Sequence, residues 1–368
     1  MPNWKRLRTD LEFRRRMQVR SDIIFGVRRF FRDRGFLEAE TPIVVAHPGM
    51  EPHLDPFETA VTEAGGAVHP AFLITSPEYS LKKLLAGGVE RVFDITKTFR
   101  NSEPWGSQAG GDGGRHNPEF TMIEWYRAGA DYTALMKDTE EMVAAAAADL
   151  FGGRLQVTWQ GRQIDFKPPW PRLSVAEAFE RYAGIDLLRG LDDPEWFAAT
   201  ARSKGIDVNP SDSFDDIFFK IFIRDIELNI GLSEVPAVGG ETASLPSHRP
   251  VILYDYPASM AALARLKPTD HRLAERFEVY CCGLELANAF SELNDATEQR
   301  RRLVQEQAQR QALGKPAFAL DEQFLEAVGM MPDAAGIAFG LDRLVMLLTD
   351  SRDIRDVLFF PAEDLFSA

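Results

Sequence analysis

His116-Asn-Pro-Glu-Phe-Thr-Met-Ile-Glu-Trp-Tyr126 is the stretch whose reading decides the fold. Taken as a strand it alternates, so His116, Phe120, Met122, Glu124 and Tyr126 fall on one face. The core face of an ordinary half-buried strand is apolar. This one carries an imidazole, an aromatic plate, a carboxylate and a phenol. Upstream, Arg91-Val-Phe-Asp-Ile-Thr-Lys-Thr-Phe99 reads as a second strand with Arg100 at its end, and a glycine-rich loop runs from Asn101 to Gly114. The two strands predict a long hairpin with a guanidinium at one edge and an adenine-sized ring on the facing strand. A two-sided structural hairpin is the plainer alternative.

Outward from the hairpin, residues 11–34 read as an amphipathic helix, with Phe13, Met17, Ile24, Val27, Phe30 and Phe31 at three- and four-residue spacing and Gly35 as its stop. Phe36-Leu-Glu-Ala-Glu-Thr-Pro42 then starts an extended segment. Segments 57–61 and 71–75 read as strands. Ser76 is expected to cap the next helix, with Pro77 in its first position and Glu78 in the first turn. There the helix dipole favours a carboxylate, which by itself explains such a Glu in most proteins. Residues 133–150 form a helix ended by Gly152-Gly153. The stretch 154–250 reads as a helical insertion packed on the core, with helical patterns near 174–183, 194–204 and 214–230 and Pro- and Gly-rich joints at 168–171 and 236–250.

Segments 251–256, 275–280 and 284–292 read as strands, the last two meeting around Gly283, and 296–313 as a charged, mostly solvated helix. Strict alternation sets Asn288 and Glu292 on one face and Glu285 on the other. A bulge near Ala287 is needed to bring all three to one site. Gly336, Ala338 and Gly340 share a face of small-residue strand, leaving room for a flat ligand. Arg343 opens the helix that follows, aimed where a phosphate would sit.

The 368 residues suffice for one large domain, and 45% apolar content supports a sizeable core. Lys+Arg 42 against Asp+Glu 56 gives a net charge of −14, which disfavours non-specific nucleic-acid binding. A local basic stretch, Lys5, Arg6, Arg8, Arg14, Arg15, Arg16 and Arg20, reads as a solvated helix face or a contact patch. The two cysteines are adjacent, Cys281 and Cys282, so a disulfide between them and a thiolate metal site are both disfavoured. With no run of signal-peptide or membrane-spanning length, the expectation is a cytosolic protein without a membrane partner.

The run Phe99-Arg100-Asn101 followed by Arg115-His116-Asn117-Pro118-Glu119-Phe120-Thr121-Met122-Ile123-Glu124-Trp125-Tyr126 resembles motif 2 of the class II aminoacyl-tRNA synthetases, in its lysyl version. The helix and Arg34-Gly35-Phe36-Leu37-Glu38-Ala39-Glu40-Thr41-Pro42, near 28–45, resemble motif 1. The run from Arg276 through Glu278, Glu285 and Asn288 to Ser291-Glu292-Leu293-Asn294-Asp295-Ala296 resembles the lysyl-type metal and substrate segment. Gly336 to Leu348, near 335–348, resembles motif 3. The likeness covers most of the chain. It implies an α+β fold: one class II catalytic domain over 1–368, an antiparallel sheet flanked by helices, and a homodimer joined through motif 1.

The resemblance also implies chemistry. The family activates an amino acid with ATP and Mg²⁺, and Arg100 and Arg343 are the catalytic cations it points to. Arg100 would hold the α-phosphate, Arg343 and His116 the far phosphates, and Phe120 would stack the adenine; Asn117 joins the ATP set. Glu278 and Glu285 match the metal-binding carboxylates. Glu78 and Glu292 would bracket a substrate with two ammonium groups, alongside Ser76, Glu124, Tyr126, Asn288 and Ala338.

Three departures shape the expected function. After the motif 2 Phe the family reads Arg-Asn-Glu, and here Ser102 intervenes, so the adenine-recognising Glu is Glu103, displaced by one residue, or is lost. Only some 20 residues precede motif 1, so no N-terminal OB domain is expected and tRNA is disfavoured as acceptor. Ala338 stands where lysyl-tRNA synthetases have Gly, and Ser76 where they usually have Ala. These features fit a truncated lysyl-type branch of the family, which activates (R)-β-lysine and passes it to a lysine of elongation factor P. The rival readings are anticodon-independent aminoacylation of tRNA and a catalytically silent regulatory paralogue.

Overall fold

The structure is a computed structural model, and it describes residues 1–106, 114–227, 229–231 and 247–366. The expected loop tip at 107–113 and most of the 236–250 joint lie outside the described residues.

In chain order the elements are α1 Asn3–Thr9, α2 Leu11–Asp33, β1 Leu37–Glu38, β2 Val44–Val45, β3 Glu58–Thr62, β4 Val68–Leu73, α3 Glu78–Ala86, β5 Arg91–Phe99, β6 Glu119–Ala128 and α4 Tyr132–Phe151. Then follow β7 Gln156–Trp159, β8 Arg162–Asp165, β9 Arg172–Ser174, α5 Val175–Ala178 running on as a π-turn to Ala183, α6 Leu187–Asp192, α7 Pro194–Ser203 and α8 Phe214–Ile221. The last part is β10 Ser247–His248, β11 Val251–Pro257, β12 Leu266–Lys267, β13 Asp270–Cys281, β14 Leu284–Ser291, α9 Ala296–Ala312, α10 Glu322–Met330, β15 Ala334–Gly340, α11 Leu341–Leu348 and α12 Ala362–Phe366.

Among the described residues the main sheet has nine strands, ordered β1-β5-β6-β15-β14-β13-β11-β9, with β12 added on β13. Its interior pairs are antiparallel, and the parallel pairs are β1 with β5 and β11 with β9 at the two edges. The expected α+β architecture is therefore present, with a large antiparallel sheet flanked by helices.

The hairpin read from the sequence is β5 and β6, paired from Arg91↔Arg127 to Phe99↔Glu119. Alternation along β6 sends Ile123 and Trp125 into the main core against Phe31 of α2, and leaves Met122, Glu124 and Tyr126 on the opposite face. On α2 it is Ile23 that is buried, and Ile24 only borders the core. The basic stretch is neither a bare patch nor wholly solvated: Arg6 pairs with Asp10 and Asp356, and Arg20 is buried.

Two local expectations need correction. Ser76 is not the N-cap: helix α3 begins at Glu78, after Pro77, although the Ser76 hydroxyl still accepts a hydrogen bond from the Glu78 N–H at 3.1 Å. The stretch 154–250 is not purely helical. It opens with the β7–β8 hairpin and gives β9 to the main sheet, pairing Arg172–Ser174 with Ile252–Tyr254. Its helices bury Phe179, Phe197, Phe218 and Phe222 around a second core, which includes Leu253, Tyr256 and Tyr280 of the main sheet.

Candidate active site

The site is a trough on one face of four adjacent strands, β6, β15, β14 and β13. Two cavities share this face. One, of about 350 Å³, is lined by Arg100, Glu103, His116, Asn117, Phe120, Glu278, Glu285 and Arg343. The other, of about 520 Å³, is lined by Ser76, Glu78, Glu124 and Tyr126, and continues between α8 and α9 past Asp215, Phe219 and Glu306. Arg100, Asn288 and Ala338 border both.

The first cavity has the build of a polyphosphate and base site. Arg100 leaves β5 with its guanidinium 5.1 Å from the centre of the Phe120 ring, and among the described residues its buried Nε has no hydrogen-bond partner. Arg343, two residues into α11, donates to the carbonyl of Glu285 at 2.6 Å. Ser102 adopts a left-handed backbone with φ of +62°, an uncommon conformation for a residue with a side chain. That turn takes up the extra residue and brings Glu103 into the cavity, with Oε2 3.1 Å from His116 Nδ1 and Oε1 3.7 Å from Arg100. Despite burial, the contact with His116 and the charge of Arg100 hold the Glu103 carboxyl below its usual value. Asn117 borders the cavity, but its amide is spent on backbone, donating to Glu119 O at 2.6 Å and accepting from Ala362 N at 2.9 Å. Its part there is to anchor the turn that presents His116.

Glu278 and Glu285 sit on neighbouring strands. The ladder pairs Val279 with Ala287 but Tyr280 with Glu285, so Leu286 is an extra residue and β14 bulges there. The bulge changes the phase of the strand, which sets Glu285 on the same face as Asn288. A tight turn, with Cys282 and Gly283 both left-handed (φ +52° and +75°), joins β13 to β14. The Glu278 carboxylate accepts from Tyr280 OH at 2.6 Å, Tyr256 OH at 2.5 Å and Arg276 Nη2 at 2.5 Å. Desolvation and then repulsion by Glu278 push the Glu285 carboxyl up to about 7. A carboxyl raised by a neighbouring carboxylate fits a hard dication, which would relieve the repulsion between the two. Among the described residues no group of three or more His, Cys, Asp or Glu gathers for a metal, so further ligands would come from substrate phosphates and water.

The second cavity is acidic. Glu124 is buried, with Oε1 2.5 Å from Ser76 Oγ and Oε2 3.0 Å from Tyr126 OH. Burial and the charge of Glu78 push its carboxyl up to about 8. Burial, followed by Glu51 and Glu78, pushes Glu306 up to about 8 as well. Ala338 lies between Glu124 and Asn288 in the ladders, so its methyl stands at the junction of the two cavities. Gly336 is required by close approach: a Cβ there would lie 2.1 Å from the Tyr126 ring and 2.3 Å from Glu292 Oε1. Of the described residues assigned from the sequence, Glu292 alone lines neither cavity. It is buried behind Tyr126, with Oε2 2.7 Å from the ammonium of Lys82.

Sequence reasoning missed three residues here. Lys82 is fully buried, and Arg276 is half-buried with Nε on Asn288 Oδ1 at 3.0 Å. The third, Asp342, accepts from Arg20 at 2.5 Å and from the Thr121 N–H at 2.8 Å, joining α2, β6 and α11 beneath the smaller cavity. For two of them a signal was present in the sequence: Arg276 immediately precedes Phe277-Glu278, and Asp342 immediately precedes Arg343.

A model of the family described as tRNA synthetases class II (D, K and N) matches residues 3–364. The chain belongs to that family. Relatives named lysine–tRNA ligase include one from Pelotomaculum thermopropionicum, 38% identical over 346 residues, covering 94% of this chain and 62% of the relative. One from Moorella thermoacetica is 39% identical over 345 residues, covering 93% and 64%. One from Dehalococcoides mccartyi is 37% identical over 368 residues, covering 96% and 65%. The chain thus spans just under two thirds of the length of these relatives. Among the described residues no helix is long and apolar enough to cross a membrane.

Proposed function

We propose that this chain activates lysine or (R)-β-lysine with ATP as an aminoacyl-adenylate and transfers the aminoacyl group to a lysine side chain of elongation factor P. The observation that carries the amino-acid part is the arrangement of Glu78, Glu124 and Tyr126 in one wall beside the Arg100–Arg343 cavity. An acidic wall next to phosphate-binding cations suits a diamino acid, and an uncharged side chain would leave its carboxylates unpaired.

In the first step a substrate carboxylate oxygen attacks the α-phosphorus and the bond to pyrophosphate breaks. Arg100 neutralises charge on the α-phosphate as it develops, and Arg343 and His116 hold the departing phosphates. Phe120 stacks the adenine beside Glu103. Glu278 and Glu285 would hold Mg²⁺, which when bound neutralises phosphate charge. The protein's contribution is position and fixed charge. In the second step an acceptor amine attacks the adenylate carbonyl and AMP leaves.

The finer choice of β-lysine is supported by Ala338 and Ser76. The Ala338 methyl, flanked by Glu124 and Asn288, takes space from an α-amino group, and the Ser76 hydroxyl draws Glu124 towards α3. The test is ATP–pyrophosphate exchange with α-lysine and with (R)-β-lysine, then intact mass of elongation factor P, beside charging of total tRNA. Wild type is expected to prefer β-lysine and to add its mass to the protein. The double variant Ala338→Gly/Ser76→Ala should shift the ratio towards α-lysine by about 10- to 200-fold, the usual worth of a methyl-sized difference. Charged tRNA with unmodified elongation factor P would overturn the acceptor assignment, and an unchanged ratio would remove the argument from these two positions.

We also propose a homodimer. It is supported by large apolar side chains left exposed on α2 and on the short strands after it: Phe25, Leu37, Val44, Val61 and Val68. A stable interface of this kind would bury well over 1,000 Å². Sedimentation at micromolar concentration should give twice the 41.3 kDa chain mass, and a species of single-chain mass would rule the dimer out.

A further inference from the structure

We infer that Arg276 is a positioning residue that fixes the Asn288 amide with its donor end towards the junction of the two cavities, where the reacting carboxylate of the amino acid has to lie. The inference rests on the amino-acid-activation reading above.

The junction differs from the rest of the trough. Both cavities are rich in carboxylates, yet the polar side chains that border the two at once are Arg100, Arg276 and Asn288, none of them acidic. All three can donate hydrogen bonds, so this meeting point suits an anion placed between an acidic wall and the phosphates.

Arg276 itself has little left to give. Its Nη2 donates to Glu278 Oε1 at 2.5 Å, its Nη1 to the Met260 carbonyl, and its Nε to Asn288 Oδ1 at 3.0 Å. The guanidinium also lies 4.6 Å from the centre of the Tyr256 ring, whose hydroxyl donates to the other Glu278 oxygen. A planar fork held at three nitrogens and on one face is not free to turn and follow a substrate. It acts instead on Asn288.

The ladder puts the two together. Glu278 faces Asn288 and Arg276 faces Phe290, so Arg276 and Asn288 are diagonal neighbours on one face of β13 and β14. An Asn amide has an acceptor end and a donor end of nearly the same shape. With Oδ1 against Nε, the NH₂ end is turned away from Arg276, and among the described residues it makes no hydrogen bond. The reverse orientation would set two donors against each other and strand an N–H. Arg276 therefore selects the orientation that leaves a donor for the junction.

The test is ATP–pyrophosphate exchange. In Arg276→Lys an ammonium can still meet Glu278, but it cannot fork to Asn288 and Met260 as well. The KM for lysine or β-lysine should rise about 10- to 100-fold, the usual worth of a hydrogen bond to a charged group, with the KM for ATP within about threefold of wild type. Asn288→Ala should raise the amino-acid KM by a similar factor, and adding Arg276→Lys to it should change that KM no further, because Arg276 acts through the amide. Asn288→Asp keeps the contact with Arg276, and so the fold, but replaces the donor by a second acceptor. Its amino-acid KM should rise at least as far. 1,5-Diaminopentane, which has the two ammonium groups of lysine and no carboxylate, should inhibit exchange equally in wild type and in Arg276→Lys.

Equal losses for lysine and the diamine, or additive effects in the double variant, would show that Arg276 only supports the pocket and would overturn the inference. A wild-type amino-acid KM in Arg276→Lys or in Asn288→Asp overturns it as well. If wild type exchanges with neither amino acid, the activation reading falls and this inference with it. If wild type exchanges normally and the variants match it, the reading stands and Arg276 has no part in orienting the substrate.

Discussion

Replacing Arg343 or Arg100 by Ala should lower ATP–pyrophosphate exchange by at least about a hundredfold while the protein stays folded. Both guanidiniums border the smaller cavity, and neither carries much of the fold. Arg343 donates to the backbone carbonyl of Glu285 and lies 3.9 Å from its carboxylate, and Arg100 lies over Phe120, 3.7 Å from Glu103. Losing one neutral acceptor contact costs about 1 kcal/mol of stability. Losing a charged donor aimed at a developing oxyanion costs about 3–4 kcal/mol at the transition state, which is a hundredfold or more in rate. Measured together, exchange rate and melting temperature separate the two. An exchange rate within threefold of wild type in either variant would remove that arginine from the chemistry.

Asp342→Ala should act in the opposite way, through stability. Asp342 is 2% exposed, and its two oxygens meet the Arg20 guanidinium and the Thr121 N–H. Arg20 is itself buried and also donates to Thr121 Oγ1 at 2.8 Å and Val357 O at 3.1 Å. Deleting the carboxylate leaves a buried cation without its counter-charge, which costs about 3–5 kcal/mol. For a chain of this size that is a fall in melting temperature of about 4–7 °C. The apolar pair Arg20→Met/Asp342→Leu should recover much of the loss, because no charge is then stranded. A calorimetric melting temperature for Asp342→Ala within about 2 °C of wild type would show that the three-element junction is not held this way.

How far the sequence could be read depended on whether a residue's partner was local. The β5–β6 hairpin was legible because alternation and the polar face lie within one stretch, and the small-residue strand leading to Arg343 was legible for the same reason. The bulge on β14 could be inferred from a conflict of phase between Glu285 and Asn288, and the ladder has its extra residue at Leu286. Lys82 was not legible: Lys82-Lys83 on a short helix looks like an ordinary solvated pair, and only the return of β14 from more than 200 residues away brings Glu292 to it. Arg20 was hidden likewise among basic neighbours, since Asp342 lies 322 positions on. The edge strand β9 has three residues, too few for a period to show.

The two cavities hang on one unbroken run of hydrogen-bonded strands, from β6 through β15 and β14 to β13. Neighbouring strands are held about 4.8 Å apart, so the distance from Glu124 on β6 to Glu278 on β13 is fixed by counting strands. No hinge can open between the two half-sites without tearing ladder bonds. The trough therefore behaves as a jig cut once during folding, and any gating of substrate entry or product exit has to come from the segments that overlie it.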